Sequence, residues 1–163
     1  MSVEAIEAST QRFAAAPDAA RSAPAVTASL INGRARMSAG AFNWDADLAP
    51  AVGGGNLAPS PTAYLLGALA GCAVAFIHDT LAPQLGLHID DVSAVARCST
   101  DARGLLGMDG AVPDLGDLAI EIRVVSPEPD EKLARLFEVW KERCPIYLAL
   151  LKTTPVVATF AAT

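Results

Sequence analysis

The sequence predicts an α+β fold, with antiparallel sheets packed around a long buried central helix. Three observations predict it. A proline-led run, "PTAYLLGALAGCAVAF" from Pro61, is hydrophobic on every side, so as a helix it must be covered on every side. Short strand-like segments flank it in the chain. No strand–helix–strand alternation of the kind that builds a parallel sheet connects them. At 163 residues the chain fits one ordinary domain with a substantial core. We read residues 1–23 as a helical extension and 24–163 as the domain.

Residues 2–16 have helical composition, with Val3, Ile6 and Phe13 roughly on one side, and Pro17 stops them. From Ala25 to Asp45 the pattern turns to strands: "AVTASLI", an Asn32-Gly33 turn, "RARMSA", then Gly40 and "AFNWD". Asn-Gly between such runs signals a hairpin. The "GGG" segment up to Pro61 is read as a flexible connection. Ser60 is the expected N-cap of the central helix, Pro61 its first residue, and Pro83 its stop near Leu81. Gly67 and Gly71, with Ala68, Ala70 and Ala73, give it a small-residue face that admits another backbone. Ile89, Val92 and Val95 mark one later strand, and Leu118, Ile120, Ile122 and Val124 a second, joined by the glycine-rich span 104–116. "PDEKLARLFEVWKERC" is an amphipathic helix carrying Leu133, Leu136, Phe137 and Trp140, with acidic residues in its first turn. Pro145 opens a short helix, and "PVVATFAA" reads as a last strand.

Composition narrows the function. Hydrophobic residues make up 52% and charged residues 18%, which disfavours disorder and leaves apolar surface that subunits could share. Eighteen acidic against twelve basic residues give a net charge of −6, which repels phosphate backbones, so no nucleic-acid partner is expected. Three cysteines at irregular spacing do not form a secreted framework, and a reducing cytoplasmic location is expected. Glu4 and Glu7 stand where a signal peptide would be basic and then apolar. The apolar stretch Tyr64 to Ile77 is too short for a bilayer span, so no membrane is expected.

Few residues can carry chemistry. The sequence holds no Walker loop, HExxH or GxSxG, and its two histidines, His78 and His88, are too few for a metal cluster; neither cofactor nor metal is expected. His78 lies six positions after Cys72, on another side of the helix, and reads as a helix-end residue. Cys98 reads as a small strand side chain. Cys144 precedes Pro145 at a helix start, beside Lys141 and Arg143, a setting that suits either a low-pKa thiol or a capping residue. Cys72, deep in an apolar helix, taken alone reads as structural, because burial raises a thiol pKa.

Two motifs taken together change that reading. "PSPTAYLLGALAGC", and much later "ERCPIYLAL", resemble the OsmC/Ohr family of hydroperoxide reductases, whose members carry a cysteine eleven residues after a helix-opening proline and a second in a Cys-Pro step. The resemblance covers about residues 25–163. It implies an intertwined homodimer with an OsmC-like α+β fold, the two thiols meeting near the subunit interface. It also implies that Cys72 attacks an organic hydroperoxide and that Cys144 resolves the sulfenic acid as a disulfide, which an external dithiol then reduces. An apolar groove around Cys72 would suit a fatty or aromatic peroxide. The family arginine that stabilises the thiolate would correspond to Arg34 or Arg36, with Arg34 the expected site residue. The glutamate that holds it in the family is replaced here by Thr62 and Ala63. That departure leaves a second possibility: an OsmC-like dimer that binds a small apolar ligand or senses redox state with little turnover.

Overall fold

The computed structural model describes residues 3–152 and 155–161. Helix α1 (Val3–Ala15) ends before Pro17, which opens a single 3-10 turn, Pro17–Ala20. Ile6 and Phe13 are half-buried, whereas Val3 is exposed. Strands β1 (Thr27–Ile31), β2 (Arg34–Ala39) and β3 (Phe42–Ala46) form an antiparallel sheet in the order β1-β2-β3. The hairpin turn is the expected one. Asn32 and Gly33 have φ of 53° and 76°, the pair of positive values that a two-residue turn matching strand twist requires.

The glycine segment is an ordered loop, not a flexible connection. Asp47 is buried, and its carboxylate accepts hydrogen bonds from the backbone N–H of Leu48 at 2.8 Å, Leu57 at 3.0 Å and Gly55 at 3.1 Å. The Leu57 N–H does most to hold this carboxyl below the usual carboxylate range, burial opposes it, and Gly55, Leu48 and the charge of Arg34 add to the lowering. Gly54 packs so closely that a Cβ there would stand 2.1 Å from the Leu48 carbonyl oxygen.

Helix α2 (Pro61–Phe76) starts as expected, with the Ser60 hydroxyl accepting from the Ala63 N–H at 3.1 Å. It does not stop at Leu81. A π-helical turn, Ile77–Leu81, leads into α3 (Ala82–Leu85), so the helical run passes through Pro83. Pro83 is tolerated because it lies in the first turn after the π segment, where its missing N–H forfeits no regular helical bond. The run ends at Gly86, φ 64°. By length and composition Pro61–Leu85 could cross a bilayer, contrary to the expectation from Tyr64–Ile77 alone. Leu69, Ala73, Ile77 and Leu81 are buried along one stripe.

That stripe faces the antiparallel hairpin β4 (Asp91–Ser99) and β5 (Gly116–Val125), together with α5 (Asp130–Arg143) and α6 (Pro145–Leu151). Val92, Ala94, Ala96 and Cys98 share the inner face of β4, while Val95 points outward, so Ile89, Val92 and Val95 do not form one face. The span between the strands includes a short helix, α4 (Ala102–Leu105). On α5 the buried residues are Leu136, Val139 and Trp140, and Phe137 is exposed. Within one chain only one side of α2 is covered; nothing lies within 4 Å of a Cβ built at Gly67 or Gly71.

The predicted last strand is not formed. Residues 155–161 carry no regular structure and leave Val156, Val157 and Phe160 fully in solvent. The rest of the expected strand, Ala162, lies outside the described residues. A strand exists only with a hydrogen-bonded neighbour, and within one chain no sheet edge is paired with this segment.

The close approach at Gly54 makes a sharp test. Gly54→Ala forces the loop away from Leu48 and should lower the unfolding free energy by about 1–3 kcal/mol, read from the midpoint of urea denaturation at unchanged slope.

Candidate functional site

Pro145 creates the second half of the site. A residue before proline is driven out of the helical region, and Cys144, with φ −70° and ψ 113°, breaks the chain between α5 and α6. Its backbone remains tied on both sides, N–H to the Trp140 carbonyl at 2.8 Å and carbonyl from the Leu148 N–H at 3.0 Å. The sulfur makes no capping hydrogen bond, so the capping alternative is not realised. It turns inward, 0% exposed, and meets Cys72 with the two Sγ atoms 3.4 Å apart. Cys72 reaches that point from the twelfth position of α2, on the side that faces α6. Both are free thiols.

Burial pushes the Cys72 thiol up to about 11, and the adjoining Cys144 thiol adds to the rise, because two acids in contact cannot both ionise freely. The N–H of Ile146 acts the other way. It is the first amide that α6 can offer, Pro145 having none, and it favours the thiolate. No arginine of the same chain contributes. The positive charge expected beside Cys144 is directed elsewhere. Lys141 pairs with Glu138 at 2.7 Å, and the Arg143 guanidinium bonds to Gln84 Oε1 at 3.0 Å.

Arg34 and Arg36 project from the same face of β2 and converge on Asp45 of β3. Register places Arg36 opposite Asp45, and its guanidinium engages the carboxylate through Nε and Nη2; Arg34 Nη1 lies 3.9 Å from Asp45 Oδ2. The Arg36 hydrogen bond, more than any other contact, holds the Asp45 carboxyl below its ordinary range. Arg34 Nε is buried without a partner. The Tyr64 hydroxyl donates to the Asp45 carbonyl at 2.6 Å and ties this sheet to the helix that carries Cys72.

Asp45, Asp47 and Tyr64 were missed by reading the sequence. The one available signal was hairpin register: with a turn at Gly40, Asp45 falls opposite Arg36. An apolar groove of about 420 Å³ opens between α2, β5, α5 and α6, and neither thiol lines it. It is lined by Leu69, one turn before Cys72, by Tyr147 just after Cys144, and by Ile120, Phe137, Trp140 and Leu150. Trp140 stacks on Phe137 with centroids 5.6 Å apart and meets Tyr147 at 4.8 Å, which fixes the groove floor. His78 pairs with Asp79 at 2.8 Å and is exposed. Among the described residues, no three His, Cys, Asp or Glu side chains are grouped to hold a metal ion.

Comparison with known proteins agrees with this architecture. No curated protein sequence matches the chain. An OsmC-like protein from Mycoplasma pneumoniae superposes with a TM-score of 0.68 at 20% identity, covering 81% of this chain and 89% of the other. A Legionella pneumophila protein described as an organic hydroperoxide resistance protein OsmC gives 0.60 at 19% identity, covering 80% and 90%. An OsmC-like protein of unknown function from Vibrio cholerae gives 0.61 at 12% identity, covering 79% and 94%. At these identities the likeness establishes the fold, and it extends to nearly the whole of each relative. The family model for OsmC-like proteins matches residues 53–159, a span that includes the three glycines of the ordered loop, the central helix and both thiols, and the chain belongs to that family.

Proposed function

We propose that the chain reduces organic hydroperoxides through Cys72, with Cys144 as the resolving thiol. The observation that carries this reading is the contact of two free sulfurs, 3.4 Å apart, contributed by segments far apart in sequence. The Cys72 thiolate attacks the peroxide O–O bond, forming Cys72 sulfenic acid and releasing the alcohol once its oxygen takes a proton. Cys144 then attacks that sulfur, water leaves, and the disulfide forms. The sulfurs need only close to about 2.05 Å. An external dithiol returns both thiols. The apolar groove, which shares α2 and α6 with the pair through Leu69 and Tyr147, suits a fatty or aromatic peroxide. The family context, and a fold relative described as a hydroperoxide resistance protein, support a redox role in stress, which suits a reducing cytoplasm.

Two further parts belong to this reading. The exposed small-residue face of α2, the unpaired edge strand β1 and the solvent-exposed Val156, Val157 and Phe160 are apolar surface that a homodimer would cover. Arg34, steadied by Asp45 in place of the acid missing after Pro61, is the cation we assign to the thiolate, delivered across that interface. A second reading, an OsmC-like dimer that binds an apolar ligand or senses redox state with little turnover, is favoured by one observation: within a single chain the Cys72 thiol is raised to about 11.

Stoichiometric cumene hydroperoxide should convert the reduced protein to a Cys72–Cys144 disulfide, lighter by two hydrogen atoms in the linked peptides. Cys72→Ser should abolish this. Cys144→Ser should leave a sulfenic acid that dimedone traps. Oxidation no faster than that of free cysteine would reject the peroxidase reading.

The pH profile separates the two readings. A thiol titrating at about 11 is almost wholly protonated at neutrality, so the oxidation rate should climb about tenfold per pH unit from 7 to 10 in the absence of a nearby cation. With Arg34 at the thiolate the rate should level off at lower pH, and Arg34→Gln should restore the steep climb. A steep climb in both proteins would remove Arg34 from the site.

Gly71→Leu should fill the open face of α2 and shift the molecule from dimer toward monomer, measured by light scattering on a sizing column. An unchanged mass would place the subunit contact elsewhere.

A further inference from the structure

The N-terminal helix does more than lengthen the chain. Between α1 and the end of the central helical run lies a pocket of about 430 Å³, lined by Ile6, Ser9, Thr10 and Phe13 on one side and by Thr80, Gln84 and Arg143 on the other. A second cavity of about 630 Å³, bounded by Glu7 and Pro83, lies against the same two elements and shares Ile6, Thr10 and Gln84 with the first. These are volumes that small ligands occupy.

Arg143 gives the pocket its character. Its guanidinium is held by two neutral partners, Gln84 Oε1 at 3.0 Å and the Phe76 ring at 5.7 Å from the centroid. Neither cancels its charge. The neighbouring acids are engaged elsewhere: Asp79 with His78, Glu142 with Arg135 and Glu138 with Lys141. Glu7 lines only the larger cavity, where it repels an anion and so favours the Arg143 end. A fixed planar cation with free N–H donors suits a carboxylate. The hydroxyls of Ser9 and Thr80 add donors, the Thr10 hydroxyl being spent on the Ile6 carbonyl at 2.9 Å, and Ile6 and Phe13 offer a short apolar wall.

We propose that this pocket binds a small amphipathic carboxylate, with its anionic head on Arg143 and its hydrocarbon part against Ile6 and Phe13 of α1. The site is separate from the apolar groove beside Tyr147 and stands whether or not the thiols reduce peroxides. Phe76 lies one helical turn beyond Cys72, and Arg143 directly precedes Cys144, so the head group rests beside the thiol-bearing corner. Occupancy also bridges α1 to the body, because one ligand touches both.

The test is calorimetric titration of the reduced full chain with octanoate, with octanol as the neutral comparison. Octanoate should bind more tightly than octanol, and more weakly as salt is raised. Arg143→Gln should weaken octanoate by at least about tenfold and leave octanol unchanged, while Arg143→Lys restores part of the loss. Octanoate should also slow tryptic cleavage at Arg12 and Arg21, a readout that simple loss of folding in a variant would move the opposite way. Equal affinity for acid and alcohol, or octanoate binding that survives Arg143→Gln, overturns the proposal. So does binding abolished by Phe137→Ala in the other groove with the Arg143 variant intact.

Discussion

The structure depends on one packing constraint: a single stripe of α2 is pressed against the β4–β5 hairpin and the α5–α6 corner. Ala73, Ile77 and Leu81 fill that contact from one side, and Leu136, Val139 and Trp140 from the other. Burying several such side chains contributes on the order of 1.5–3 kcal/mol each before entropy is subtracted, enough to fix the relative position of the two helices. Cys144 is a member of the same buried cluster, and Cys72 packs against it. The sulfurs therefore meet because the core packs, and their contact costs the fold little beyond the burial of two small, weakly polar groups.

That origin explains the electrostatics. A site built into a hydrophobic core protects thiols from water and disfavours their charged form, and the raised Cys72 follows directly. The single amide of Ile146 opposes this only in part. The sheet that carries Arg34 and Arg36 is linked to α2 through Tyr64 and Asp45, and neither arginine is among the groups that shift the Cys72 thiol.

Much of this was legible in the residues. Asn32-Gly33, Ser60-Pro61 and Cys144-Pro145 are local signals whose physics does not depend on distant parts of the chain, and each produced the expected turn or helix start. The family motifs located both thiols. What escaped was non-local or unpaired. Asp47 gives no pattern signal, because its three N–H donors come from a loop whose path it determines itself. The tail from Pro155 has strand composition without a neighbouring edge to complete it, and the charge of Arg143 is drawn away from Cys144 by a glutamine fifty-nine residues earlier.

The π-helical turn has a geometric meaning. The buried positions 69, 73, 77 and 81 repeat every four residues, whereas a regular α-helix needs 3.6, so such a series would wander round the barrel by about 40° at each step. The widened turn at Ile77–Leu81 absorbs part of that drift at the last step. Ile77 and Leu81 are therefore both buried where this turn packs against α5. The phase correction is local, made by one loosened turn near the foot of the helix, well after the sulfur has been set in place.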